Sequence, residues 1–179
     1  MRVIAGATRG HHLKSVKGKA LRPTSDLVRG AIFSMLESLN VNWSRVLDLY
    51  AGTGALGIEA LSRGAKWTDF VEQNPKHCSI IQENLKNTGL SERAHVYCTS
   101  VRRAISFLAQ KYGIIFMDPP YNDPDAPSTL EMVASSSLVG EGSVLVFEHS
   151  RRWPVNTVYG QLKLIKDRRH GDTCISIFG

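Results

Sequence analysis

The chain contains 179 residues, of which 42% are hydrophobic and 21% are charged, as is typical of one globular domain with a substantial core. No apolar run approaches the roughly 20 residues of a membrane-spanning helix, and the first residues lack the apolar stretch of a signal peptide, so we expect a cytoplasmic protein without a membrane partner. The net charge is +6, and three scattered cysteines (Cys78, Cys98 and Cys174) exclude a disulfide framework and a zinc site, so we expect no bound metal.

Residues 1–40 are predicted to form a basic arm, a small hairpin followed by a helix, that packs on a body formed by residues 41–179. The helix should begin at Thr24 or Ser25, because apolar residues then recur at helical spacing. Residues 1–30 contain seven Lys and Arg residues against one acidic residue. This local excess favours a polyanionic partner over merely solvated charge. The candidate contact residues are Arg2, Arg9, Lys14, Lys17, Lys19, Arg22 and Arg29, although Arg22 and Arg29 could instead brace the arm against the body.

From Arg45 onward, short apolar segments alternate with helical segments. Strands are predicted at 45–50, 67–72, 94–98, 113–117 and 143–148, and helices at about 54–63, 75–88, 101–111 and 127–138. Such alternation is typical of a doubly wound α/β fold with a parallel sheet. The segments 161–166 and 173–178 are predicted to form a final β-hairpin. We therefore expect a Rossmann-like, seven-stranded mixed sheet with helices on both faces and an antiparallel last strand.

A glycine-rich loop follows the first strand of the body. Gly52, Gly54 and Gly57 match the G-x-G-x-x-G pattern between a strand and a helix, and Glu72 ends the next strand at the spacing of a ribose-binding acid. Asp48 would repel a pyrophosphate but could meet a cation, which favours S-adenosylmethionine over a nicotinamide dinucleotide. Alternatively, Asp48 could brace the loop through backbone amides. The expected cofactor-binding residues here are Asp48, Tyr50, Ala51, Gly52, Gly54, Glu72 and Gln73.

Four residues, Asp118, Pro119, Pro120 and Tyr121, follow the strand predicted at 113–117. Proline donates no ladder hydrogen bond, so the strand should end here and present a carboxylate and an aromatic ring at its carboxyl end, where open α/β sheets bind ligands. Asp118 and the carbonyl of Pro119 could accept the hydrogens of an exocyclic amino group while Tyr121 stacks on its ring. A turn without a ligand is the alternative. The candidate catalytic residues are therefore Asp118, Pro119 and Tyr121.

These blocks together resemble class I S-adenosylmethionine-dependent methyltransferases and, more narrowly, the RsmD family. The resemblance covers nearly the whole chain, and its specific part is Arg22-Pro23-Thr24 combined with the Asp-Pro-Pro-Tyr motif. It implies methyl transfer from S-adenosylmethionine, leaving S-adenosylhomocysteine, to the exocyclic N2 of guanine 966 in small-subunit (16S) ribosomal RNA. The implied partner is free rRNA or an assembling 30S particle, and a monomer is expected. The implied RNA-binding residues are Arg9, Lys14, Arg22, Thr24 and Arg29.

Three features of the chain depart from the family pattern, and one of them is Ser34, which stands where the family often has Asn. Gly30 stands where the family usually has Glu, and Ser100 and Val101 stand where it often has an Asp that could bind the adenine amino group. We retain Ser100 and Val101 as cofactor-binding candidates.

Three other functions compete with this interpretation. A DNA adenine-N6 methyltransferase could use the same four-residue motif, but the chain has no room for a large target-recognition region. An NAD(P)-binding oxidoreductase is disfavoured by Asp48 and by the lack of a substrate domain. A non-catalytic RNA-binding module is disfavoured because Asp118, Gly52 and Gly54 are intact.

Overall fold

The computed structural model describes residues 1–15, 25–121 and 123–179, so the predictions for Lys17, Lys19, Arg22 and Thr24 lie outside the described residues. The helices are α1 (Asp26–Glu37), α2 (Ala55–Ser62), α3 (Pro75–Asn87), α4 (Val101–Phe107) and α5 (Ala126–Ala134). The strands are β1 (Arg45–Leu49), β2 (Trp67–Glu72), β3 (Ala94–Cys98), β4 (Ile114–Met117), β5 (Val144–Ser150), β6 (Val158–Tyr159), β7 (Leu162–His170) and β8 (Thr173–Phe178).

The strands form one mixed sheet in the order β3-β2-β1-β4-β5-β8-β7-β6. All pairings within the set β1 to β5 are parallel, whereas β8 pairs antiparallel with both β5 and β7. The predicted fold class, a parallel core with an antiparallel last strand, is therefore confirmed.

Four features differ clearly from the sequence prediction, and the first is that helix α5 ends at Ala134 rather than near residue 138. The described part of the sheet has eight strands rather than seven, because Val158–Tyr159 pairs with the start of β7 over a stretch too short to show periodicity. Strand β7 continues to His170 through residues predicted as loop, since its exposed face accommodates polar side chains. Helix α4 ends at Phe107, because Leu108 has an extended backbone.

The sheet is covered on both faces, as the alternation of side chains along each strand requires. In β4, Ile114 and Phe116 pack in one apolar cluster with residues of α1, α2 and α3. Ile115 and Met117 lie in the other cluster with residues of α4 and α5. Within the described residues, no helix combines the length and apolar character needed to span a membrane.

The first residues of the arm form the expected hairpin, with one antiparallel bridge between Arg2 and His12. Its apolar side chains Val3 and Leu13 are buried in the same cluster as α1. The carboxylate of Glu59 in α2 accepts hydrogen bonds from the backbone N–H groups of Ile4 (2.8 Å) and Ala5 (3.0 Å). The arm is thus fastened to the helix that follows the glycine loop, while a domain boundary at residue 40 stays a prediction.

Candidate active site

The glycine loop and the Asp-Pro-Pro-Tyr motif lie side by side at the carboxyl edge of the parallel sheet. Strand β1 pairs with β2 on one side and with β4 on the other, so the chain order of the strands reverses around β1 and β4. Leu49, the last residue of β1, is in register with Val71 and with Met117. The residues that follow these strands are therefore level, at the topological switch point where such sheets bind ligands.

The loop after β1 follows a backbone path that favours glycine. Gly52 (φ 58°) and Gly54 (φ 79°) are left-handed, and Tyr50 adopts the same region (φ 60°) although it is not glycine. Gly57 serves a different purpose, because a Cβ there would lie 2.3 Å from the Phe70 ring on β2. The three glycines of the motif therefore shape a tight turn and allow α2 to lie close to the sheet.

Asp48 is buried beneath this loop, with 1% of its surface exposed. Its Oδ2 accepts a hydrogen bond from the backbone N–H of Gly57 at 2.8 Å, so the bracing alternative is observed. Burial raises the pKa of Asp48 to about 7, the Gly57 N–H opposes this effect, and the negative charges of Asp118 and Glu72 add to it. A positive charge at this edge would relieve the cost of keeping the Asp48 carboxyl ionised.

Glu72, at the end of β2, is also tied to the loop. Its Oε2 accepts from the backbone N–H of Gly52 (2.9 Å) and its Oε1 accepts from that of Asn74 (2.8 Å). A carboxylate can accept about four hydrogen bonds in all, so acceptor capacity remains for a ligand. The neighbouring Gln73 is exposed.

The other cofactor-binding candidates follow β3. The Ser100 side chain caps α4 by accepting from the backbone N–H of Arg103 (3.4 Å). Val101 begins that helix and is buried. A role for either residue in binding adenine stays a prediction.

The motif after β4 is hydrogen-bonded to β8, two strands away from β4 in the sheet. Pro119 is buried, and Asp118 and Tyr121 are half-buried. The Tyr121 hydroxyl is hydrogen-bonded to the hydroxyl of Thr173, the first residue of β8. Sequence reasoning missed Thr173, because no local pattern links residues 52 positions apart. Only the return of β8 beside β5 brings it to the motif.

Arg29 does not face solvent. Its side chain is fully buried, its Nη2 donates to the backbone oxygen of Arg2 and to Asp26, and its Nε lies 4.0 Å from Glu59. Burial lowers the pKa of Arg29, an effect that Glu59 and Asp26 oppose. Contact with RNA is incompatible with this burial, so that prediction is wrong and the alternative, bracing of the arm, is correct.

The exposed candidates of the arm are Arg2, Arg9 and Lys14. Lys14 forms an ion pair with Glu83 at 2.7 Å, with about half of each side chain exposed. Exposed pairs of this kind contribute little, so Lys14 can exchange its partner. Candidates Arg22 and Thr24 lie outside the described residues.

Comparison with known proteins gives a match over the whole chain. The model of the family described as "Conserved hypothetical protein 95" matches residues 1–179. A Bacillus subtilis protein named "Putative rRNA methyltransferase YlbH" is 35% identical, and the alignment covers 99% of this chain and 98% of that protein. "Ribosomal RNA small subunit methyltransferase D" of Escherichia coli is 29% identical, with 99% of this chain and 89% of that protein covered.

A solved structure shows the same likeness in three dimensions. The Escherichia coli protein described as "Putative methyltransferase yhhF" superposes with a TM-score of 0.84 at 30% identity. The superposition covers 99% of this chain and 96% of that chain, so the likeness extends over the arm as well as the sheet.

Proposed function

The chain belongs to the family described as "Conserved hypothetical protein 95", and from this membership we propose that it is an S-adenosylmethionine-dependent methyltransferase acting on the exocyclic N2 of a guanine in small-subunit rRNA. The observation that carries the proposal is the level arrangement of the glycine loop, Glu72 and the Asp-Pro-Pro-Tyr motif at one sheet edge. Relatives that match nearly the whole chain bear the names of rRNA methyltransferases. The target position, guanine 966, is proposed from the RsmD resemblance alone.

The charge of the sheet edge fits S-adenosylmethionine better than a dinucleotide. Glu72 and Asp118 lie near enough to Asp48 that their negative charges, together with burial, raise its pKa. A pyrophosphate would add negative charge, whereas the ammonium and sulfonium groups of S-adenosylmethionine would offset it. Glu72 would accept hydrogen bonds from the ribose hydroxyls, beside the positive-φ glycines. When bound, S-adenosylmethionine supplies the activated methyl group.

Asp118, Pro119 and Tyr121 are the residues that we assign to the guanine. The guanine amino group is a weak nucleophile, because its lone pair is delocalised into the ring. Asp118 and the Pro119 carbonyl accept its two hydrogens and favour a pyramidal nitrogen, while Tyr121 stacks on the flipped-out base. Thr173 fixes the phenol of Tyr121 by hydrogen bonding. Positioning and electrostatics supply the rate acceleration, without a covalent intermediate on the enzyme.

Two exposed basic segments are assigned to the RNA backbone. One is the arm, with Arg9 and Lys14 exposed. The other lies at the carboxyl end of β5, where Arg151 follows this strand and Arg169 lies near the tip of the β7–β8 hairpin. Because the same hairpin carries Thr173, its basic tip lies beside Tyr121. Binding through phosphate contacts should weaken steeply as the salt concentration rises.

The proposal is tested by methyl transfer from radiolabelled S-adenosylmethionine to 30S particles from cells that lack this gene. Duplex DNA is assayed in parallel, and the methylated nucleoside is identified by mass. N2-methylguanosine in the RNA alone is the expected result. Methylated adenine in the DNA would move the protein to the adenine-N6 class, and no transfer to either substrate would refute the proposed chemistry.

The role of Asp118 is tested by Asp118→Ala. We expect this variant to lose methyl transfer while binding the cofactor as the wild type does, as calorimetry with S-adenosylhomocysteine would measure. Asp125→Ala is the matched control, because Asp125 lies just after the motif with an exposed side chain. Turnover by Asp118→Ala at the rate of the control would remove Asp118 from the mechanism.

A further inference from the structure

Two of the three cysteines meet beside the end of β2. Cys78 lies in the first turn of α3, and Cys98 is the last residue of β3, in register with Glu72. Their sulfur atoms are 2.7 Å apart, and the Cys78 thiol donates to the backbone oxygen of Glu72 at 3.2 Å. Since a disulfide bond is about 2.0 Å long, bonding needs a sulfur displacement of only about 0.7 Å.

The two thiols differ in their access to solvent. Cys98 is exposed, whereas Cys78 is buried. Burial, the adjacent Cys98 thiol and the charge of Glu72 raise the pKa of Cys78 to about 12. A reagent in solution therefore meets Cys98 first, and Cys78 is placed to react with whatever Cys98 becomes. The third cysteine, Cys174, lies on β8, well separated from β3 in the sheet order, and takes no part in this pair.

We propose that Cys78 and Cys98 form a reversible redox-modification site, in which a low-molecular-weight disulfide converts the two thiols into an intramolecular disulfide. This site is separate from the proposed methyl transfer and does not depend on it. It adds a second chemistry at the sheet edge on which Glu72 lies.

The exchange proceeds in two balanced steps. The Cys98 thiolate attacks one sulfur of the reagent, the S–S bond of the reagent breaks, and one thiolate leaves from a mixed disulfide at Cys98. Cys78 then loses its proton to solvent and attacks the Cys98 sulfur, which releases the second thiolate. The protein loses two protons and two electrons, and the reagent is reduced to two thiols.

The bond would close the 20-residue separation between Cys78 and Cys98. Closing a loop of this length restricts the unfolded chain and thereby stabilises the folded one. We expect the melting temperature to rise by roughly 6–12 °C on oxidation for a protein of this size. The Cys78 thiol would also cease to donate to the Glu72 carbonyl.

The experiment uses the full chain carrying Cys174→Ser, treated with excess oxidised glutathione, acid-quenched and alkylated. We expect an intact mass lower by two hydrogens, no alkylation, a non-reduced peptide that joins Cys78 to Cys98, and the rise in melting temperature. Dithiothreitol should restore two alkylated thiols. Adding Cys78→Ser should instead trap glutathione on Cys98, because no resolving thiol remains.

Three results would overturn the proposal. The first is a stable glutathione adduct on Cys98 while Cys78 is present. The second is two alkylated thiols after oxidation for a time that modifies the Cys78→Ser variant fully. The third is a disulfide that joins two different molecules.

Discussion

Gly57 offers a direct test of how closely α2 packs on the sheet. In Gly57→Ala the new methyl group would lie 2.3 Å and 2.6 Å from two atoms of the Phe70 ring and 2.9 Å from Thr68 Cγ2. Phe70 and Thr68 are fully buried, so neither side chain can turn into open space. The helix must therefore move away from β2, which also lengthens the 2.8 Å hydrogen bond from the Gly57 N–H to Asp48.

The expected destabilisation follows from two opposing effects. Overpacking of a filled core destabilises by about 1–3 kcal/mol, and contacts this short favour the upper part of that range. The higher helix propensity of Ala returns up to about 1 kcal/mol. The net loss of unfolding free energy should be about 2 kcal/mol, which lowers the melting temperature by roughly 4–8 °C in a protein of this size.

Gly30→Ala is the matched control. Gly30 lies inside α1, has no atom within 4 Å of an added Cβ, and is not among the glycines with positive φ. The same substitution should therefore stabilise by about 1 kcal/mol, a rise of roughly 2–4 °C.

Thermal unfolding by circular dichroism measures both variants, and calorimetry with S-adenosylhomocysteine should show weaker binding in Gly57→Ala alone. If Gly57→Ala were stabilised to the same extent as Gly30→Ala, the close packing of α2 on β2 would be refuted.

Three further predictions concern buried charge and the motif loop. Asp48→Asn removes a carboxyl whose pKa burial raises to about 7. In the wild type, the folded state holds the Asp48 proton more tightly than the unfolded state does. The stability that this proton contributes is therefore lost as pH rises through about 7. Measured by urea unfolding, the unfolding free energy of Asp48→Asn relative to that of the wild type should therefore rise by about 2–3 kcal/mol from pH 5 to pH 8. A difference between the two proteins that stays constant over this range would contradict the raised pKa of Asp48. Glu59→Gln removes the buried partner of Arg29 and should destabilise by about 3–5 kcal/mol, whereas Glu37→Gln, at an exposed partner of Arg63, should change stability by less than about 1 kcal/mol. Equal effects in chemical denaturation would show that the arm is not held by Glu59. Thr173→Val removes the hydroxyl that is hydrogen-bonded to the Tyr121 phenol and should raise KM for the RNA while leaving cofactor affinity unchanged, with Thr173→Ser restoring the wild-type KM. Failure of the serine variant to restore it would indicate a packing role instead.

Much of the site could be predicted because its signals are local. Proline cannot donate a ladder hydrogen bond, so the end of β4 before Pro119 follows from residue chemistry within a few positions. The glycine spacing likewise predicted the turn after β1, where Gly52 and Gly54 have positive φ, and the position of Glu72 predicted the end of β2. Apolar periodicity predicted the alternation of strands and helices, and hence the parallel core.

The errors fall where exposure depends on distant partners. Arg29 has the same local sequence signal as an RNA-binding arginine, yet the arm and Glu59 enclose it. Strand β6 consists of two residues whose pairing with β7 no periodicity could show. Both outcomes depend on how segments pack after they form.

The sequence by itself therefore determined the fold class, the sheet edge that carries the motifs and the residues of those motifs, since steric rules and periodicity act over a few residues. The tertiary structure alone decided which side chains meet. It brought Thr173 into contact with Tyr121, Gly57 into contact with Asp48, and Cys78 into contact with Cys98. Such contacts join residues from different strands and helices, and their distances are set by the packing of the whole sheet with its helices rather than by any local pattern.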